Sequence, residues 1–167
     1  MPTSNILMAP LILWHIQDLK PTTILDVGPG HGKYGVLCKE YIHPTPTVDA
    51  CEAWEPYIQD FNLKGIYPTI YPTDVMLLPT DTLNNYDTIL LLDIIEHLDK
   101  DDALTLLARI TVPVVICTPV DFFHNGDDLP WTETHRSHWT EQDFQNTGKV
   151  TRYDNHLGGH VVTLQTP

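Results

Sequence analysis

Positive charge is scarce in this sequence. Nine Lys and Arg stand against 22 Asp and Glu, a formal charge of −13. A surface this acidic excludes broad, non-specific attraction to nucleic acid or anionic lipid, though not a local basic site. Cysteine is sparser still. Cys38, Cys51 and Cys117 lie far apart, in apolar stretches and without CxxC spacing. That argues against a disulfide framework or a zinc knuckle and predicts free, buried thiols. Long hydrophobic runs are missing too. The longest, Ile6 to Ile16, contains Pro10 and His15 and is too short to span a bilayer. No Lys or Arg precedes Lys20, so the charged start of a secretory signal is not seen. The expectation is a cytoplasmic protein with no membrane association. Repeats, low-complexity tracts and linkers are absent as well.

What is present is alternation. A length of 167 residues suits a single domain over 1–167 with one real core. Residues 1–20 read as an amphipathic helix, with Leu11, Trp14 and Leu19 among its buried positions, and 21–167 as the domain core. Strands are predicted at Thr23–Val27, Thr47–Ala53, Ile66–Tyr71, Tyr86–Leu92, Val112–Cys117, Lys149–Tyr153 and His160–Gln165, the last two joined by a turn at Asn155–Gly159. Helices are predicted at Lys33–Tyr41, Pro56–Phe61, from Asp101 through Ile110, and after Thr140, which has N-cap chemistry. Tyr86–Leu92 is the most apolar strand and is expected at the centre, covered on both faces. This order predicts a doubly wound, Rossmann-like α/β three-layer sandwich, with a mostly parallel sheet and an antiparallel closing pair. Residues 119–139, rich in Pro, Asp and His, read as an irregular loop.

Chemistry begins where the first strand ends. Asp26-Val27-Gly28-Pro29-Gly30-His31-Gly32-Lys33 offers glycines for a sharp turn and close backbone approach, followed by a helix N-terminus. The spacing is GxGxG, with Lys33 where a dinucleotide fingerprint has its third glycine, which disfavours an oxidoreductase. Asp26, just ahead of the loop, suits a cationic ligand group better than a pyrophosphate. Glu52 closes the second strand at the distance of a ribose-hydroxyl acceptor, and Asp74 follows the third. Three acids at the carboxyl ends of three successive strands mark the edge where open α/β sheets bind ligands.

At this point the sequence resembles the class I S-adenosylmethionine-dependent methyltransferases. ILDVGPGHG is similar to their first motif, Glu52 in CEAWEPY to their second-strand acid, and Asp74 to their adenine-contacting acid. YDTILLLDIIEHL and VVICTPV resemble their fourth and fifth strands, and Glu133 to Thr140 resembles a loop in small bacterial and phage methyltransferase-like proteins of unassigned substrate. The resemblance covers roughly residues 20 to 165. It implies a seven-stranded sheet with the last strand inserted antiparallel. It also implies S-adenosylmethionine as cofactor near Asp26, Gly28, Pro29, Gly30, Gly32, Glu52, Asp74, Val75 and Asp93, with Tyr34 over the sulfonium or carboxylate end. The implied activity is methyl transfer to an unidentified acceptor. The protein would supply alignment and water exclusion, and a base only where the acceptor must lose a proton.

Candidates for that base are Glu96, His97 and His135, with Ser137 and His138 nearby. On a helical turn Asp93, Glu96 and His97 would share one face, and the loop after the fifth strand should overhang the same edge. The same residues also admit a divalent ion held by Asp93 or Glu96 with His97 and His135. That pattern resembles metal-assisted RNA 2′-O-methyltransferases, although no basic surface accompanies it here. A third expectation keeps the fold and the cofactor site in a binding subunit that modifies nothing. Trp139 is expected to anchor the loop, His31 to point outward, and Trp54 to border adenine or pack. A nucleic-acid partner is disfavoured, and pairing into a homodimer stays open.

Overall fold

The computed structural model describes residues 5–121, 134–147, 149–156 and 158–165. Residues 122–133, the middle of the expected acceptor-side loop with Trp131, lie outside the described residues. Seven strands, β1 (Thr23–Val27), β2 (Thr47–Cys51), β3 (Ile70–Tyr71), β4 (Thr88–Leu92), β5 (Val114–Pro119), β6 (Val150–His156) and β7 (Gly159–Leu164), form one sheet. Their order is β3-β2-β1-β4-β5-β7-β6. β7 runs antiparallel between β5 and β6, while β1 through β5 pair in parallel. Six strands thus share one direction and one opposes them.

The central strand β4, Thr-Ile-Leu-Leu-Leu, is buried at all five positions, as a strand covered on both faces must be. On one face α1 (Ala9–Leu19), α2 (Lys33–Tyr41) and α3 (Glu55–Asp60) pack Ile12, Ile16, Cys38 and Ile58 against Ile24, Val48 and Leu90. On the other, α4 (Thr80–Leu83), α5 (Lys100–Arg109) and α6 (Glu141–Asn146) pack Leu83, Leu106, Leu107 and Phe144 against Leu25, Ile89 and Ile116. Helix ends follow local chemistry. α5 opens on Asp101 and Asp102 and closes on Arg109, charges that complement its dipole. Thr140 and Asp143 cap α6 reciprocally. All three cysteines are free and buried, and no helix among the described residues is long and apolar enough to cross a membrane.

Several expectations need correction. β3 is two residues long rather than six. Pro68 has no N–H for a ladder, and the chain ahead of it turns inward through a tight turn at Leu63–Gly65 that buries Tyr67. β5 lies two residues later than expected, because Pro113 precedes it and Val114 is the first residue in register with β4. In α1 the buried stripe is Ala9, Ile12, His15 and Ile16. Trp14 is 55% exposed, and Leu11 and Leu19 are half-buried. Size suggested Trp14 for the core, but helical period puts it on the outer face, where the Arg152 guanidinium lies 3.5 Å from its ring centre. His15 tolerates burial because both ring nitrogens are bonded, to Thr163 Oγ1 at 2.8 Å and Asp154 Oδ2 at 2.9 Å. Asp93, Glu96 and His97 do not share a helical face. The turn Ile95–His97 is 3₁₀, and Asp93 precedes it in a left-handed conformation (φ 57°).

Candidate functional site

Backbone bonds between adjacent strands set the loop residues at a common level. Gly28 N–H donates to Cys51 O (2.8 Å), Glu52 N–H to Tyr71 O (3.0 Å) and Asp93 N–H to Cys117 O (2.8 Å). The carboxyl edge therefore presents the glycine loop, Glu52, Asp74 and Asp93 from four neighbouring strands. Gly28, Gly30 and Gly32 all have positive φ. Their smallness also admits neighbours. A Cβ on Gly28 would lie 2.2 Å from Ile94 Cδ1, and one on Gly32 2.4 Å from Ile66 Cδ1. Pro29 is buried within the turn, and its carbonyl accepts from Gly32 N–H at 2.8 Å.

Asp26 is 2% exposed. Burial pushes its carboxyl up to about 7. A hydrogen bond from Tyr67 opposes the rise, Glu52 adds to it and Lys33 lessens it. Asp93 is pushed up to about 6, again by burial, with Lys33 drawing it down. Glu52 Oε1 accepts from Trp54 N–H at 2.8 Å. Asp74 Oδ1 accepts from Met76 N–H at 2.9 Å, capping a short turn in which Val75 is buried. Tyr34 lies in the core on the α1 face, 4% exposed, with the Lys33 ammonium 5.3 Å from its ring. His31 is exposed and its ring packs on Phe61, centroids 3.9 Å apart.

Beyond Asp93 lies a second cluster. The segment 134–140 docks onto the β4 turn: Arg136 and Ser137 N–H both donate to Glu96 O, at 2.7 and 3.1 Å. Ser137 Oγ donates to Ile95 O (3.0 Å), and Trp139 Nε1–H to Ser137 Oγ (2.9 Å). Ser137 and Trp139 therefore pin the segment, and His138 Nε2–H is committed to Val120 O at 2.9 Å. The docking sets His135 against His97, ring centroids 4.9 Å apart. His97 Nδ1–H donates to Thr134 O at 3.2 Å, leaving Nε2 its lone pair, and burial lowers the imidazole to about 4. Glu96 is 2% exposed. Its Oε2 accepts from Thr118 Oγ1 at 3.1 Å, while Oε1 has no hydrogen-bond partner among the described residues. Burial and then the neighbouring Asp93 hold its carboxyl well above the usual range. Ligand atoms of Glu96, His97 and His135 all lie within 4.8 Å of one another, and Asp93 is not part of that group.

Two members of this arrangement escaped the sequence. Tyr67 falls in a segment read as strand, where its side chain would have had no reason to turn inward. Thr118 sits inside the apolar fifth strand, and only its place directly ahead of Pro119 hints at a strand end. A surface cavity of about 410 Å³, lined by Lys39, Val48, Lys64, Ile66 and Pro68, opens at the start of β2 and not at the carboxyl ends.

No family model matches the sequence, and no curated protein matches it. Solved structures do match. The methyltransferase domain of bacterial CtHen1 superposes with a TM-score of 0.66 at 15% identity, over 96% of this chain and 100% of that one. Magnesium protoporphyrin IX methyltransferase from Synechocystis, with bound S-adenosylhomocysteine (SAH), gives 0.65 at 15% identity, over 96% and 82%. An O-methyltransferase family protein from Burkholderia thailandensis gives 0.63 at 13% identity, over 96% of this chain and 56%, little more than half, of its own length. The fold is that of the class I methyltransferases.

Proposed function

We propose that the protein binds S-adenosylmethionine at the carboxyl edge and transfers its methyl group to an acceptor beside Glu96, His97 and His135. The observation that carries this reading is the pairing of a glycine turn of three positive-φ residues with two carboxyls, buried Asp26 and half-buried Asp93, both held above the ordinary range. Such carboxyls are stabilised by a cation, and methionine's amino group and the sulfonium are cationic. Glu52 suits the ribose hydroxyls, and Asp74 with buried Val75 suits adenine. Bound there, the cofactor supplies an activated methyl on a sulfonium leaving group. The chain's own task is alignment and exclusion of water. His97 Nε2 and Glu96 Oε1 are the groups placed to hold an acceptor proton. Calorimetry tests the reading: SAH is expected to bind wild-type protein. Asp26→Ala and Glu52→Ala are each expected to weaken it about tenfold or more, as loss of a charge-assisted hydrogen bond does. Folded wild-type protein that binds neither S-adenosylmethionine nor SAH refutes it.

A second reading has its own observation, a carboxylate oxygen of Glu96 within 4.8 Å of nitrogens on two imidazoles, on a side chain whose Oε1 is orphaned among the described residues. With His97 Nδ1 committed to a carbonyl, Nε2 is oriented as metal-binding histidines are. Donors on one ion with bonds of about 2.1 Å stand about 3–3.5 Å apart, so the three side chains would have to close slightly. The residues fit a divalent ion that would orient the acceptor, in a metal-assisted O-methyltransferase resembling those acting on RNA ends. Micromolar binding of Mn²⁺ or Zn²⁺ to wild type, lost in His135→Ala, is the expected sign. No saturable binding by 1 mM metal removes this variant and leaves the first reading intact.

A further inference from the structure

We infer that Tyr67 is a positioning residue for the cofactor's amino group, holding Asp26 through its hydroxyl from a loop that the glycine at 35 exists to admit. The inference rests on the reading that S-adenosylmethionine binds with Asp26 facing that amino group. Tyr67 belongs to none of the strands. It comes from the turn ahead of β3, is 2% exposed, and passes under the start of α2. Its hydroxyl donates to Asp26 Oδ2 at 2.6 Å and accepts from Gly35 N–H at 3.2 Å. The backbone of the first turn of α2 thus orients the phenol, and the phenol orients the carboxylate.

Gly35 has no need of special backbone freedom, since it sits inside a helix, where glycine is otherwise unfavourable. Its reason is space. A Cβ there would stand 2.5 and 2.6 Å from Tyr67 Cζ and Cε1 and 2.7 Å from Ile66 Cγ2. Gly32 is crowded by the same loop, through Ile66. Gly32 and Gly35 therefore both face the Ile66–Tyr67 pair.

One oxygen of Asp26 is occupied by Tyr67, which leaves the other to meet a cation. The hydrogen bond favours the ionised form and so sets the pH range over which Asp26 can act. The other groups acting on Asp26 are Glu52 at the end of β2, which opposes ionisation, and Lys33 at the start of α2, which favours it. The Cys38 thiol, also on α2, is kept protonated by burial and by Asp26 itself.

The test is calorimetric titration of the full chain with SAH between pH 6 and 8.5, with 5′-methylthioadenosine as the control. That compound keeps the nucleoside and thioether and lacks the amino and carboxylate groups. Tyr67→Phe keeps the ring and its packing. It is expected to move the pH midpoint of SAH affinity up by about one unit, the worth of one hydrogen bond to a charge. Affinity then falls about five- to tenfold between pH 6 and 7 and returns to within about twofold of wild type at pH 8.5, while 5′-methylthioadenosine binding is unchanged throughout. Gly35→Ala, which expels the phenol by contact, should shift the midpoint in the same direction. An unmoved midpoint in Tyr67→Phe, or an equal loss for both ligands, overturns the inference, because mere packing would give either. Wild-type protein that binds neither ligand overturns the parent reading, and this one with it.

Discussion

Asp26 is a carboxyl in the wrong solvent, and its cost has a definite sign. The unfolded chain releases its proton near pH 4, whereas the folded protein holds it to about 7. Between those values the folded state carries the extra proton. The stability Asp26 contributes is fully present below pH 4 and is lost as pH rises through 7. Three units correspond to at most about 4 kcal/mol. Asp26→Asn keeps an acceptor for the Tyr67 hydroxyl and has no charge to bury. Its melting temperature without ligand should match wild type at pH 4.5 and exceed it by several degrees at pH 8, in a pair of calorimetric scans, while its SAH affinity falls. A variant no more stable than wild type at pH 8 would show that Asp26 is not strained there. Gain of stability with loss of binding is the signature expected of a residue kept for a ligand.

At the scale of elements, the 134–140 segment is the part that brings the acceptor side together. It is held by Ser137 and Trp139 on Ile95 O, and by Lys100, whose ammonium bonds His138 O at 2.6 Å, pairs with Asp143 at 3.0 Å and lies 3.8 Å from the Trp139 ring centre. Trp139 itself is 1% exposed and stacks on Phe144. Trp139→Phe keeps most of the packing and leaves Ser137 Oγ without its donor, while Ile95 O keeps the Ser137 hydroxyl and the Leu98 N–H. It should cost about 1–2 kcal/mol, a fall of roughly 3–8 °C in a circular-dichroism melt. A fall above about 12 °C would mean that volume, and not the indole N–H, anchors the loop. The expectation that Trp139 anchors the loop was legible because an apolar ring beside polar neighbours needs a pocket. β1, β4 and α5 were legible for similar local reasons, an unbroken apolar run or a helical period. The Tyr67–Asp26 bond and the Thr118–Glu96 bond were not, because each joins residues 41 and 22 positions apart whose meeting depends on the packed sheet. β3 was misjudged because the apolar pattern of Ile66–Tyr71 is shared by a strand and by a loop buried for another purpose.

Across the whole molecule, the shortage of positive charge acquires a structural meaning. Of the nine basic side chains, Arg109 donates to Met76 O and Leu78 O, Arg152 pairs with Asp18 and Asp154, and Lys39 donates to Ile66 O. Lys100 pairs with Asp143, and the Lys33 charge is favoured by Asp93 and Asp26. These five are thus engaged by backbone or carboxylates. Of the nine, Arg136 is the one in the described segment that carries His135. Non-specific RNA affinity grows with the number of phosphates a protein neutralises, and one arginine neutralises about one. Measured by fluorescence anisotropy in 0.15 M salt, a short single-stranded RNA is therefore expected to show no binding below about 100 µM, even with SAH present. Should it bind more tightly, with affinity falling steeply as salt rises, basic side chains such as Arg136 must make the phosphate contacts after all, and the RNA-end reading gains over a small hydroxylated acceptor. Binding that ignores salt would instead point to stacking or to a metal-held ribose at Glu96, His97 and His135. That outcome is separable from the first, because it would vanish in His135→Ala while the salt-sensitive mode would not.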